Sequence, residues 1–436
     1  MSRWVVPLAV AALLSLLGEQ RLIDLAAHLE HAPALPIAVV DASFGPPQRL
    51  HVALVALGAV QTLILWGVAR TLRDGALGTG ARIGIALVAA AMLAIALGAT
   101  TITSFDPYAY AGYAKLASLH AAYAPPPERF AGAFGAINDA WGAPMVASYY
   151  GPLWIALDRL VAGGAPSLPA ALLGLRLLET GALGLLLVAL ALRGAGTLPL
   201  ILLALDPAVY ELYVANAHND LLAIAFVAVA LVLVARIPLA AVLCVVLAAL
   251  VKLPLAVLAL VVFAGRSALP RRSALVALTV ALVLLASWAL GGAAYFHDLF
   301  FRLGQVDATA AHAVTALSAR AIKLALALIA LIALVAAFAR GVVWRSAGWS
   351  TIALSSMVYP WYLAWSIAYA ALERGALVRL LVLFPLAAAL LDVAFAPLGL
   401  GQLAMFAMLV AAQEVEARVA GLDGGTNRAR DDAFAR

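Results

Sequence analysis

The chain has 436 residues, of which 66% are hydrophobic and 11% charged, with a net charge of +5 at pH 7 and a mean hydropathy of +1.05. A soluble domain is about 45–50% apolar, so that class is excluded, and most apolar runs are long enough to cross a bilayer. The basic residues sit in short clusters between those runs, where they act as topology signals rather than as a nucleic-acid surface, and the lone Cys244 excludes a disulfide framework or a thiolate metal site.

The N-terminus carries Arg3 and an apolar run from Val5 to Leu17. Gly18-Glu19-Gln20-Arg21 follows, which is not a small-residue cleavage site, so the run reads as a retained first span that anchors and orients the chain. Further runs of span length are Val52 to Val68, Ile83 to Thr103, Ala170 to Leu192, Leu198 to Val214, Leu221 to Val234, Leu275 to Leu290 and Ala321 to Phe338. Shorter or interrupted runs close the chain: Trp349 to Tyr359, Tyr362 to Leu372, Leu377 to Phe395 and Leu400 to Ala412. Alanine and leucine dominate throughout, so the predicted fold class is all-α, a polytopic membrane helix bundle of roughly 12–14 spanning or re-entrant helices with no soluble domain.

The segment Ile237 to Gly265 is long for one span and is interrupted at Lys252-Leu253-Pro254, with Arg236 before it and Arg266, Arg271 and Arg272 after it. Basic residues at both ends favour two short helices meeting near Lys252 and returning to one face; a single proline-kinked span is the alternative. Counted from a cytoplasmic N-terminus, Arg70, Arg73, Arg82, Arg193, Arg236, Arg266, Arg271, Arg272, Arg340, Arg345, Arg374, Arg379 and the tail arginines all fall inside. That count places residues 104–152, the turn Asn216 to Asp220, the loop Tyr295 to Ser318 and the turn Tyr359 to Tyr362 together on the outer face. The expected organisation is one transmembrane domain over 1–420, with 104–152 as a large outer or periplasmic loop bearing the site, and a disordered cytoplasmic tail over 421–436.

The outer loop opens with Ser104-Phe105-Asp106-Pro107-Tyr108-Ala109-Tyr110 and closes with Tyr149-Tyr150-Gly151-Pro152. Asp106, a carboxylate where a span meets water, is the candidate general base toward a hydroxyl acceptor. Its alternative role is helix capping, with Pro107 in the first turn, which would not require the aromatic residues around it. His218-Asn219-Asp220 can bond sugar hydroxyls, orient a phosphate or give oxygens to a hard cation, or can simply cap the next helix. Lys252 is ionisable at membrane depth; it can reach a lipid-linked phosphate or pair with Asp206, Glu211 or Glu179, and pairing is the preferred reading. Arg302, Arg320 and Lys323 suit an anionic headgroup or snorkel at the interface. Trp361, Tyr362 and Trp365 at a proline-marked turn form an aromatic belt or stack on sugars. No GxGxxG, GxxxxGK, HExxH or Asp-x-Asp occurs, so a lipid-borne donor fits better than a nucleotide one.

Taken together, Ser104-x-Asp106-x-Tyr108-x-Tyr110, Tyr150-Gly151-Pro152-Leu153, Ala217-His218-Asn219-Asp220, Lys252-Leu253-Pro254 and Pro360-Trp361-Tyr362-x-x-Trp365 resemble the GT-C superfamily of membrane glycosyltransferases. The likeness is greatest to the polyprenol-phosphomannose-dependent mannosyltransferases of bacterial lipoglycan assembly. One departure is His120-Ala-Ala-Tyr123-Ala-Pro125 where the family often has an Asn-Pro-Tyr-like turn. The resemblance implies transfer of a hexose, with mannose favoured, from a polyprenyl-phosphate sugar to a hydroxyl of a glycan or glycolipid, with inversion, in the cell membrane at its outer face. It implies Asp106 as base and Tyr108, Tyr110, Tyr150, His218, Asn219, Asp220, Lys252, Arg302, Arg320, Lys323, Trp361 and Tyr362 as substrate contacts. No metal ligands and no cofactor are assigned, and a divalent cation stays open. The alternative is a transporter or flippase of a lipid-linked sugar, expected to show pseudo-symmetric halves; a membrane scaffold is the other rival.

Overall fold

The computed structural model describes residues 4–29, 35–40, 48–72, 77–126, 128–264, 268–304, 313–341, 359–367 and 374–394. The polypeptide is an all-α polytopic membrane bundle. Helix α1 runs Val5–Leu29, α2 Gln48–Leu72 and α3 Thr79–Leu97. The strands are two residues each: β1 (Ala38–Val39) pairs in parallel with β2 (Thr101–Ile102). The predicted first span thus continues through Glu19, Gln20 and Arg21: Gln61 donates to Glu19 at 2.8 Å and Gln20 to Glu211 on neighbouring elements, while the exposed Arg21 lies 3.8 Å from Asp24 one turn on along the same helix.

The segment 104–152, expected to be an outer loop, is folded apart from residue 127, which lies outside the described residues. It contains α4 (Asp106–Lys115), single turns at His120–Ala122 and Gly132–Phe134, and α5 (Ala136–Trp141). Helix α6 (Pro152–Ala162) follows, then α7 (Leu168–Leu192). The predicted span Leu198 to Val214 is broken: α8 (Thr197–Leu205) and α9 (Pro207–Val209), which continues into a π-helical turn over Tyr210–Ala215, meet at 58°. Pro207 cannot donate a helical hydrogen bond, and the Asp206 carboxylate caps the new helix through Ala208 N at 3.0 Å.

Next come α10 (Asp220–Leu233) and α11 (Pro238–Val251), a 3₁₀ segment over Leu253–Leu258 and α12 (Ala259–Val262). The segment from Ile237 is therefore two pieces meeting at Lys252, as its proline indicates. Helices α13 (Leu269–Gly304) and α14 (Ala313–Arg340), a 3₁₀ segment over Pro360–Ser366 and α15 (Arg374–Ala394) complete the described chain. Gly292, at φ 67°, bends α13, a conformation open to glycine because it lacks Cβ.

Among the described residues, five helices are long and apolar enough to cross a membrane, or six if the bent α8–α9 pair is one span. The other segments of the predicted count are shorter apolar helices, Asp220–Leu233, Pro238–Val251, Leu253–Val262, Leu328–Arg340 and Leu377–Leu390. The runs at 349–358 and 400–412 and the tail at 421–436 lie outside the described residues. Leu63, Leu87, Leu192 and Leu285 are each more than 60% exposed on the long helices; in water such a surface would be costly, and against acyl chains it is matched. The interior is built where α10 packs on α7 and α11, α2 on α1 and α15, and α4 on α6.

Candidate functional site

Phe105 is the N-cap of α4 and Pro107 occupies its first turn, so Asp106 sits just inside the helix. Ser104 Oγ accepts from the Asp106 backbone N–H at 3.2 Å, leaving the carboxylate free to point away from its own helix end. Tyr110, one turn on, reaches its Oδ2 at 3.4 Å. Capping therefore does not account for the side chain.

What brings a second element to Asp106 is Asn216. It donates to Glu211 O at 2.8 Å, Glu211 Oε1 at 3.0 Å and Thr103 Oγ1 at 3.1 Å, and accepts from Thr103 N at 2.9 Å. This amide staples the end of the π-helical turn to the strand that leads into α4. Ala217 then takes a positive φ of 48°, the one non-glycine residue among those described to do so. A left-handed alanine is strained and persists only where its surroundings hold it. Its effect is to turn the next residue, His218, so that Nδ1 lies 3.3 Å from Asp106 Oδ2, a close contact without the alignment of a hydrogen bond.

His218 is 1% exposed and Asp106 13% exposed, so the carboxylate keeps an opening that the imidazole lacks. Burial pushes the Asp106 carboxyl upward, but His218 and the nearby Lys252 charge outweigh it and hold the group below its usual range. Burial, followed by the Asp106 charge, pushes the Tyr110 and Tyr150 phenols well up, so both remain neutral hydroxyls. Tyr110 meets Tyr150 edge-on at 4.9 Å and Trp154 at 5.0 Å; Tyr149 and Tyr150 share a hydroxyl contact of 3.1 Å. The wall of the site is thus aromatic and uncharged.

The third side is the 3₁₀ segment. Trp361 stacks on His218 at 3.8 Å with 15° between planes, and Tyr359 stacks on Trp361 at 4.5 Å. Beneath it, Tyr362 stacks on Trp365 at 4.4 Å. Tyr362 and Trp365 are buried, so neither belongs to an interfacial belt.

Lys252 pairs, but not with Asp206, Glu211 or Glu179: its partner is Asp220, at 2.8 and 2.9 Å. The reason is that α11 ends at Val251 and α10 begins at Asp220 on packed neighbouring helices. Trp365 Nε1 adds a bond to Asp220 Oδ1 at 2.6 Å, and the Lys252 ammonium lies 4.2 Å over the Tyr362 ring. Both Asp220 oxygens are therefore occupied. The Tyr-Gly-Pro and Lys-Leu-Pro motifs also touch: Gly151 N donates to Val251 O at 3.0 Å, and a Cβ on Gly151 would lie 2.1 Å from the Leu250 carbonyl oxygen. Only glycine permits that approach.

Asp106, Tyr110, Tyr150, His218, Asp220, Lys252, Trp361 and Tyr362 thus converge. Tyr108 does not join them: its hydroxyl bonds the backbone of Ile37, tying α4 to β1. Both polar atoms of the buried Asn219 side chain, and Nε2 of His218, lack a hydrogen-bond partner among the described residues, and Asn219 caps no N–H of α10. Arg302 lies on α13 and Arg320 and Lys323 on α14, with side chains outside the described residues. Asn216 and Tyr359 were not among the expected contacts, and Trp365, expected in a belt or against a sugar, instead bonds Asp220; the polar residue beginning the His218 turn and the aromatic residue before Pro360 were the signal. Among the described residues no group of three or more His, Cys, Asp or Glu side chains could hold a metal ion.

Comparison with curated proteins and with solved structures found no match. The sequence profile of a family described as alpha-(1->6)-mannopyranosyltransferase, N-terminal domain, matches residues 9–268. That region carries Asp106, Tyr110, Tyr150, His218, Asp220 and Lys252, while Trp361 and Tyr362 enter from beyond it. Since the match covers more than half of the chain, this membrane protein belongs to the alpha-(1->6)-mannopyranosyltransferase family and is a glycosyltransferase.

Proposed function

We propose that the protein transfers mannose from a polyprenyl-phosphate-linked donor to a hydroxyl of a glycan or glycolipid, with inversion, at the outer face of the plasma membrane. The observation that carries this reading is the Asp106 carboxylate, held below its usual pKa beside His218 and left 13% exposed against an aromatic wall. The acceptor oxygen attacks the anomeric carbon, its proton passes to Asp106, and the bond from that carbon to the phosphate oxygen breaks. The leaving group is a polyprenyl phosphate, already a weak base, so no general acid is required and one carboxylate suffices. An α product by inversion requires a β-linked donor, and the family description supports position 6 of the acceptor sugar as the accepting hydroxyl.

Lys252 is committed to Asp220, which leaves the phosphate to the cations Arg302, Arg320 and Lys323. His218 keeps Asp106 charged and aimed; Trp361 holds His218 by stacking; Tyr110 and Tyr150 supply neutral hydroxyls toward a sugar. The arginine distribution supports an outward-facing site, and the missing nucleotide-sugar motif supports a lipid-borne donor.

The test supplies purified protein with synthetic polyprenyl-phosphate hexoses and a panel of mannosides. A mannosylated product with inverted configuration is expected from the wild type. Asp106→Asn should lower turnover by about 10²–10⁴-fold while the variant still folds and inserts. Near-normal turnover in that variant would remove Asp106 from the role of base, and movement of donor lipid across vesicles without product would favour a flippase.

A further inference from the structure

Arg176 stands on α7, a helix of span length, and is 4% exposed. Nothing in the reaction outlined above uses it. A guanidinium buried at membrane depth is costly, so its partners must account for it. Nε donates to the Ala215 carbonyl and Nη1 to the Leu97 carbonyl, each at 2.9 Å. We propose that Arg176 is a positioning residue of the transfer site, clamping the chain segment that carries Asp106 to the segment that carries His218, an inference that rests on the transferase reading.

Three observations carry the assignment. First, the two carbonyls close two different elements: Leu97 is the last residue of α3 and Ala215 the last of the π-helical turn. The final carbonyls of a helix find no partner within it, and they form the negative end of its dipole, so a cation with N–H donors suits both ends at once. Arg176 comes from a third helix, α7, which packs on α3 and on the turn. The guanidinium carries its N–H groups on separate nitrogens in a fixed plane, which lets the two bonds diverge to acceptors on two elements.

Second, each clamped element runs straight into the site. From Leu97 the chain passes through β2 to Thr103 and reaches Asp106 after nine residues; from Ala215 it passes through Asn216 and the left-handed Ala217 and reaches His218 after three. Third, the bond from Thr103 N to Asn216 Oδ1 at 2.9 Å joins the same two segments nearer the site. One tie leaves two segments free to pivot about it, whereas a second tie at the helix ends also fixes their angle. The strained Ala217 needs that restraint to keep His218 against Asp106. Glu211 links the two ties, since its carboxyl holds Asn216 and lies within electrostatic reach of Arg176.

The test compares wild type with Arg176→Met, which keeps apolar bulk and removes every donor, and Arg176→Lys, which keeps the charge without the planar fork. With a polyprenyl-phosphate mannose and a methyl mannoside, kcat per folded enzyme should fall about 10–100-fold in Arg176→Met, the scale of a misplacement of about 1 Å, and recover in part in Arg176→Lys, with the acceptor KM little changed. The acidic limb of kcat/KM should move to higher pH, because among His218, Lys252, Tyr110, Tyr149 and Tyr150, which bear on Asp106, only His218 follows the clamped turn. In donor-free protein, hydrogen-exchange mass spectrometry should show faster exchange at the Thr103 amide in Arg176→Met while α11 exchanges as in wild type. An unchanged kcat and acidic limb overturn the proposal, as does Thr103 exchange equal to wild type, or exchange that rises alike through α7 and α11, which marks a residue of general stability. Should Arg176→Met not fold, Arg176→Lys decides by the same readouts. No product from any wild-type reaction would sink the transferase reading, and exchange at Thr103 would then still decide whether Arg176 clamps the two segments.

Discussion

Replacement of Lys252 tests whether the site is held together from below. Its ammonium sits 2.8 and 2.9 Å from the two oxygens of Asp220, with side-chain exposures of 9% and 0%. At an effective dielectric of about 20, unit charges about 3 Å apart attract by roughly 5–6 kcal/mol; most of that offsets desolvation. The measurable effect is the loss of one partner, about 3–5 kcal/mol, because the other charge is left buried. Lys252→Met should therefore lower unfolding stability by about that amount, since Asp220 keeps only its bond from Trp365. Lys252→Met with Asp220→Asn removes both charges and should return to within about 1–2 kcal/mol of wild type. The assay is a denaturant titration in mixed micelles of the four proteins of this cycle, with unfolding reported by tryptophan fluorescence. If the double variant loses the sum of the two single losses, the pair is not a mutual dependence and the reasoning fails.

His218→Gln should move the acidic limb of the rate profile to higher pH, read from kcat/KM against pH. The sign follows from Asp106, whose folded carboxyl lies below its usual value: the charged form is present above the unfolded pKa and lost as pH falls through the folded one, and removing His218 raises that folded value. Trp361→Ala should reduce kcat/KM by about 2–13-fold, matching the loss of a stacking contact of about 0.5–1.5 kcal/mol; an unaltered rate would show that the stack does not position His218. Gly151→Ala should destabilise by about 1–3 kcal/mol, because the new methyl meets the Leu250 carbonyl; a melting temperature equal to wild type would contradict the close approach of α6 and α11. Tyr108→Phe should cost about 1 kcal/mol of stability for the lost bond to Ile37 with kcat retained, and a collapse of kcat would return Tyr108 to the site.

Long apolar runs were legible as helices because a backbone in lipid must satisfy its own hydrogen bonds, which leaves helix as the economical solution. Where polarity interrupted a run, legibility depended on what the interruption did. Pro254 marked a break that the chain makes. The polar Glu19-Gln20-Arg21 sequence looked like an end, yet α1 continues because Gln61 and Glu211 lie opposite. Asp206-Pro207 lies inside a run of span length, and the 58° bend there was not anticipated.

In the candidate site, residue types were readable and partners were not. Asp106, His218, Lys252 and Trp361 stood out because charge and aromatic polarity are expensive at membrane depth. Lys252 was expected to pair, but with the wrong carboxylates, and Tyr108 could not be told from Tyr110 although one ties α4 to β1 and the other faces Asp106.

The amino-acid order alone determined a polytopic helical membrane protein and marked the residues too costly to be there without a reason, since burial costs are local properties of a side chain. Only the tertiary structure decided which of them meet. The Asn216 staple, the left-handed Ala217 and the Gly151 approach to Leu250 act between elements far apart in sequence, and distance along a chain carries no record of distance in space.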